Sequence, residues 1–288
     1  MDTIAKLVDE KENKLKFEEK NHRYYLPNEP GIEFVSCTTF IEYFFHKFDS
    51  IGIANNLCLN HPNYIGISPQ SLVRSWEETA NYGTAVHKEI ERYIRSDLQP
   101  KENKSQSAIN WLNSININNY NILSETMVYS KKLKIAGTID LILQNKVTGV
   151  VDIYDWKTTK SIELTSYGNK KGRKPITANL PDCNYIHYSL QLSLYKYILE
   201  QFYDINVNNI NIVHLNEGSV SIYKCDYMVR EIEEMLKYDR EVLAKETEDS
   251  LTKNFCRGYG FEEEDYDYDE PDYDDVIEDD FDIPDEEL

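Results

Sequence analysis

Residues 135–160, IAGTIDLILQNKVTGVVDIYDWKTTK, constrain the fold more tightly than any other stretch of the chain. Two apolar runs rich in Ile, Val and Leu, Ile135 to Leu143 and Val150 to Tyr154, are joined through Asn145-Lys146-Val147-Thr148-Gly149. Short β-branched runs on either side of a Gly- and Asn-bearing turn predict a β-hairpin. Asp140 lies in the first arm, and Asp155 closes the second with Lys157 two residues later. Strand side chains alternate faces, so Asp155 and Lys157 point one way and Trp156 the other. Two carboxylates and an ammonium then meet at one end of a small sheet. Carboxylate oxygens suit a hard divalent cation, and a lysine beside them can orient or deprotonate water and offset charge developing on a phosphate. Taken alone, an Asp-x-Lys triplet has the plainer reading of a charged sheet edge.

The flanks add to this pattern. A helix predicted over Ser75 to Arg95 carries Gly83-Thr84-Ala85-Val86-His87, with His87 and Glu91 on one face and Ala85, Val86, Ile90 and Ile94 forming part of an apolar side. With no His-Glu-x-x-His sequence and no cysteine pair, zinc is not expected. Leu123 to Tyr129 reads as a strand ahead of the hairpin and contains Glu125, with Lys131, Lys132 and Lys134 in the turn that follows. Beyond Lys157 come Lys160 and a loop holding Gly168, Lys170, Lys171, Gly172, Arg173 and Lys174. Flexible glycines among bases suit phosphate contact, although a merely solvated loop has the same composition.

Tyr185 to Phe202 reads as a helix with Leu190, Leu194 and Ile198 along one stripe and Gln191 and Tyr195 four apart beside it, while Tyr185, Tyr188 and Tyr197 read as core. Closing strands are expected at Ile210 to Leu215 and Val220 to Lys224, and a last helix over Val229 to Leu243. At the N-terminal side, residues 14 to 40 predict a hairpin turning at Pro27 to Gly31, its second arm ending in Val35-Ser36-Cys37-Thr38-Thr39-Phe40. Residues 40 to 80 look helical, broken at His61-Pro62-Asn63 and Ser68-Pro69.

The order of these motifs resembles the PD-(D/E)XK nuclease superfamily, in particular its RecB-like and mitochondrial genome-maintenance exonuclease-like branch. The resemblance rests on Gly83-Thr84-x-x-His87, Glu125, Gly137-Thr138-Ile139-Asp140, Asp155-x-Lys157 and Gln191-x-x-x-Tyr195, and covers roughly residues 15 to 245. Ile139 stands where the superfamily's name places proline. The resemblance implies an α/β restriction-endonuclease-like core, a central mixed sheet flanked by helices, with an N-terminal hairpin and a helical, arch-like lobe at 40–80. It implies a Mg²⁺- or Mn²⁺-dependent deoxyribonuclease of DNA replication, repair or recombination, acting from DNA ends and favouring single strands. Asp140, Asp155 and the Trp156 carbonyl would hold the metal with His87, Lys157 would orient water, and Gln191 and Tyr195 would position Lys157 and the phosphate. Glu125, Lys160, Lys170, Lys171, Arg173 and Lys174 would line the DNA path. Removing either aspartate is expected to leave the fold intact, because the two repel. The alternative is a noncatalytic binding scaffold on a nuclease fold.

Charge first argues against nucleic acid, since 51 acids face 31 bases. Residues 261–288 alone hold 17 acids and no Lys or Arg, which leaves 34 acids against 31 bases, a net of −3, in the remaining 260 residues. The chain divides accordingly into a segment at 1–13, a nuclease-like body at 14–250 and an acidic tail at 251–288, too poor in apolar residues to fold alone. Five cysteines without C-x-x-C spacing fit reduced thiols and no iron–sulfur cluster. No apolar run reaches membrane-spanning length and the first residues are too acidic for a presequence, so a cytoplasmic or nuclear protein, or one of a viral replication compartment, is expected rather than a secreted one. The tail serves solubility, recruits a basic partner protein, or mimics DNA on the basic face. If it mimics DNA, truncation after Gly260 tightens DNA binding most at low salt, and titration of both proteins across ionic strengths reads the difference. Equal affinities at low salt would rule the competition out.

Overall fold

The computed structural model describes Ile4 and residues 14–247; the rest of the segment 1–13 and the acidic tail at 251–288, with Cys256, lie outside the described residues. A small hairpin, β1 (Lys16–Glu18) and β2 (Arg23–Tyr25), leads into β3 (Val35–Ser36). Four helices follow: α1 (Cys37–Glu42), α2 (Ser50–Asn60), α3 (Pro69–Ser96) and α4 (Asn103–Ser114). Then come β4 (Tyr120–Ser130), β5 (Ile135–Asn145) and β6 (Val151–Lys157), the long helix α5 (Asn184–Phe202), β7 (Val207–Asn216), β8 (Ser219–Cys225) and α6 (Val229–Met235).

The main sheet runs β3-β5-β6-β7-β8, with β4 on the other side of β5. β3 on β5 and β6 on β7 are parallel and the other pairs antiparallel, so the sheet is mixed and the class is α/β. Helices cover both faces, as a sheet with parallel members requires. On one face Leu190, Leu194 and Ile198 of α5 pack with Ile142, Ile153, Ile210 and Ile212 and with Phe40 and Phe44 around α1. On the other, Val86 and Ile90 of α3 and Ala108 and Leu112 of α4 pack with Leu141, Leu143, Trp156 and Val213. The predicted alternation holds: Trp156 is buried on the α3 face, while Gln191 of α5 reaches Asp155 on the other.

The sheet is split at its centre. β4 pairs with β5 from Ser130↔Ile135 to Tyr120↔Asn145, but along its other side β5 meets β3 only at Ile135 and Ala136, and β6 only from Leu141 to Gln144. Beyond Tyr154, β6 leaves β5 and continues along β7, Asp155 to Lys157 pairing with Ile212 to His214. Residues 137–140 of β5 therefore face an opening. Tyr195 of α5 and Cys37 of α1 pack over Gly137 there, so closely that a Cβ on Gly137 would lie 2.7 Å from the Tyr195 ring and 3.0 Å from Cys37 Sγ.

Several sequence expectations are corrected. The N-terminal hairpin turns at Glu19–Asn21, with His22 left-handed at φ 48°, rather than at Pro27–Gly31. Turning early lets Leu15, Tyr24 and Leu26 bury against Tyr129 and Ala136, and frees Val35–Ser36 to pair in parallel with β5. Ser68-Pro69 is the start of the His87 helix and not only a break, because Ser68 accepts from the Ser71 amide at 3.1 Å with proline at the first helical position. Part of the 40–80 stretch is thus the first turns of α3; with α2 it forms a small lobe around Ala54, Leu57, Leu72 and Trp76. Ser36 caps α1, accepting from the Thr39 amide at 2.9 Å. The expected last helix is two pieces: α6 stops at Met235, and residues 240–247 start a new helix on Asp239, which accepts from the Glu241 amide at 2.8 Å. Helix α4 was not foreseen in the sequence. Among the described residues no helix is long and apolar enough to cross a membrane.

Gly137→Ala forces a methyl group onto the buried Tyr195 ring and is expected to cost about 1–3 kcal/mol, the usual penalty for overpacking a core. Urea unfolding measures it; an unchanged midpoint would mean that α5 moves away freely.

Candidate functional site

The split brings together side chains from both faces of the sheet, which an unbroken sheet would hold apart. Where β6 leaves β5, the Trp156 amide loses its strand partner, and Asp140 Oδ2 accepts from it at 2.8 Å. A side-chain carboxylate completes the ladder where a backbone carbonyl has withdrawn, satisfying a donor too buried for water. The same Oδ2 is 3.5 Å from His87 Nδ1. Gly83, one helical turn before His87, packs close against the residue that follows β6: an added Cβ would sit 2.9 Å from Thr158 Oγ1. That closeness accounts for a mid-helix glycine, which costs about 1 kcal/mol against alanine.

Glu125 completes the group. The β4–β5 ladder is intact at Ser124↔Leu141 and Thr126↔Ile139, which brackets Glu125 opposite Asp140, yet that pair is missing. Glu125 is left-handed, φ 47°. Such a conformation is unfavourable for a non-glycine residue and tends to mark functional positions. The Arg95 guanidinium donates to the Ser124 carbonyl at 3.2 Å, holding the distortion from outside. Glu125 Oε1 comes to 3.9 Å from His87 Nδ1, and one ligand atom each of His87, Glu125 and Asp140 all lie within 4.8 Å of one another. Glu125, expected beside DNA, is thus a potential metal ligand.

Asp155 has other partners. Its Oδ2 is 2.7 Å from Lys157 Nζ, and its Oδ1 accepts from Gln191 Nε2 at 3.4 Å. Gln191 Nε2 also lies 3.3 Å from Tyr195 Oη, so the predicted pair on α5 does converge on the Asp-x-Lys strand. Asp155 Oδ2 is buried and faces the Lys157 ammonium. Tyr188, read from sequence as core, places its ring centroid 4.2 Å from Lys157 Nζ.

The electrostatics are those of crowded acids. Burial and the Asp140 charge push Glu125 up to about 8. Burial also raises Asp155, to about 6, helped by Asp140 and opposed by Lys157. Asp140 falls below the usual carboxylate range despite its burial, because His87, Lys157 and the Trp156 amide favour its anion. Burial disfavours the charge on His87, but Asp140 and Glu125 outweigh it and raise His87 to about 9. For Lys157 too burial works against the charge, and Asp155 outweighs it. At neutral pH the trio thus keeps protons that a divalent cation would displace. Two carboxylates and one imidazole form a donor set that could hold a divalent cation.

The segment after Lys157 is gripped by groups that carry no motif. Lys104 Nζ donates to the Thr158 carbonyl at 2.6 Å, His214 Nε2 lies 2.6 Å from the Thr159 carbonyl, and Asn184 Nδ2 donates to Ser161 at 3.1 Å. The basic loop is less available than expected. Gly172 is packed against Thr177, the Arg173 amide donates to the Phe44 carbonyl at 2.8 Å, and Lys174 forms an ion pair with Glu246. Arg173 and Lys174 therefore tie residues 240–247 and the end of α1 to the body, whereas Lys160 and Lys170 are exposed and Lys171 half-buried.

No known family model matches the sequence, and no curated protein does. Among solved structures the chain aligns with one described as "Crystal structure of SSO0001", at 14% identity, over 81% of this chain and 83% of that one, with a TM-score of 0.32. A likeness that weak carries no argument about fold or function.

Asp140 stands in the His87–Glu125–Asp140 group and also accepts from the buried Trp156 amide, which argues against the expectation that its removal spares the fold. Asp140→Ala is expected to abolish Mn²⁺ binding in calorimetry and to orphan the Trp156 amide, at about 1–3 kcal/mol of stability. Asp140→Asn keeps an acceptor and should lose the metal with most of the stability retained. Equal unfolding midpoints for Ala and wild type would remove the structural role.

Proposed function

We propose that the protein is a Mg²⁺- or Mn²⁺-dependent deoxyribonuclease with a PD-(D/E)XK-type site, degrading DNA from its ends with a preference for single strands. The observation that carries this reading is the grouping of His87, Glu125 and Asp140 where β5 and β6 part, with Asp140 accepting from the amide of Trp156, the residue between Asp155 and Lys157. His87, Glu125 and Asp140 would hold the ion, with Asp155 beside them. The ion, when bound, supplies a Lewis acid for the phosphate oxygen and lowers the pKa of a water.

The protein's own groups do the rest. Lys157, held in its charged form, orients the attacking water and offsets charge on the phosphate; it does not act as a base while Asp155 lies 2.7 Å away. Gln191 and Tyr195 fix Asp155 from the α5 side. Lys160, Lys170 and Lys171 are the exposed or half-buried bases next in the chain for a phosphate backbone. The lobe of α2 and the start of α3, with its own core and continuous with the helix that carries His87, would guide a threaded strand.

The test is cleavage of end-labelled linear single-stranded, linear duplex and circular single-stranded DNA with Mg²⁺, Mn²⁺ or EDTA. Linear single strands should be degraded, circles should persist, and EDTA should stop the reaction. Asp155→Ala should be inactive, and Lys157→Arg should lose at least about tenfold, since guanidinium keeps the charge but not the shape. Metal-dependent cutting by Asp155→Ala would sink the proposed site, and rapid cutting of circles would make the enzyme an endonuclease.

A further inference from the structure

Lys157 is held from two sides by contacts of different kinds. Asp155 Oδ2 lies 2.7 Å from its Nζ, and the Tyr188 ring centroid 4.2 Å from the same nitrogen. Tyr188, Gln191 and Tyr195 are spaced i, i+3 and i+7 on α5, so they form one stripe of that helix facing the Asp-x-Lys strand. Gln191 and Tyr195 act on the carboxylate; Tyr188 acts on the ammonium. Nothing in the Gln-x-x-x-Tyr spacing includes Tyr188, and the aromatic run in which it lies reads as ordinary core.

The two contacts respond differently when the site is in use. An ion pair depends on the carboxylate's charge being free for the lysine. Any cation or proton that engages Asp155 weakens it. The attraction between an ammonium and the face of an aromatic ring depends only on the ring's quadrupole and its nearness, and gains when both groups are shielded from water. The Lys157 side chain is 17% exposed and Tyr188 packs against the core of the α5 face.

We propose that Tyr188 is a positioning residue: its ring keeps the Lys157 ammonium aimed into the site independently of Asp155, so the lysine stays in place when Asp155 is otherwise engaged. The catalytic use of this contact rests on the nuclease reading; the contact itself does not.

Two readouts on full-length, metal-free and Mg²⁺-loaded protein test it. In protein carrying ¹³Cε-lysine, the Lys157 ε-CH₂ resonance, assigned by its disappearance in Lys157→Arg, should be displaced by the ring current. The displacement should persist in Asp155→Asn and Tyr188→Phe and collapse toward the exposed-lysine position in Tyr188→Leu. On linear single-stranded DNA, Tyr188→Leu should lower kcat about tenfold, the worth of a partly shielded cation–π contact, with KM changed less than about twofold. Tyr188→Phe should restore kcat. A wild-type resonance without displacement, or one that collapses in Asp155→Asn, overturns the proposal, as does equal kcat for Tyr188→Leu and wild type. If the wild type cuts no DNA, the nuclease reading and the catalytic use fail together, while the resonance still decides whether the ring holds the lysine.

Discussion

The hydrogen bond from the Trp156 amide to Asp140 is the point on which the site depends. A mixed sheet buried between helices cannot open along its middle without leaving backbone donors in a dry interior. Here one acidic side chain closes that account and at the same time carries the charge around which His87, Glu125 and Lys157 are arranged. Had β6 stayed paired to β5 past Tyr154, the Trp156 amide would have a strand partner and Asp140 would not reach across to it. Tyr195 packs directly over Gly137 on the same stretch of β5.

Much of this was legible because it is local. The hairpin arms, the opposite facing of Asp155 and Trp156, and the i, i+4 pair on α5 follow from strand and helix periods that the residues themselves display. Gly83 and Gly137 were visible as parts of motifs, but the reason for each, a neighbour within 3 Å of an absent Cβ, belongs to elements far away in sequence. Glu125 was placed on the right strand but assigned to the DNA path, since no propensity announces a left-handed glutamate. The N-terminal turn was misplaced because Pro27 to Gly31 is rich in turn residues, whereas the burial of Leu15, Tyr24 and Leu26 decided the pairing. Lys104, His214 and Asn184 carried no signal at all, because each acts through a backbone carbonyl that only the tertiary fold brings near.

The basic loop shows how composition misleads in the other direction. Four bases between residues 170 and 174 look like one surface, yet folding assigns them to different tasks: Arg173 and Lys174 join chain segments some 70 residues apart, and Lys170 faces solvent. Charge near a site contributes to ligand attraction only where its partner is not already part of the protein.

Glu125 has a second consequence, for the solubility of the folded chain. Among the described residues β4 pairs only with β5, so its outer side is an edge of the sheet. Eleven extended residues in a row would offer an unpaired rim on which a strand of another molecule can grow. A residue at φ 47° cannot be extended, and it divides that rim into 120–124 and 126–130, while Arg95 occupies the Ser124 carbonyl next to the break. The twist that presents a carboxylate to the interior thereby also spoils the template on the exterior. Straightening it by substitution would exchange the carboxylate that faces His87 for a longer unbroken edge.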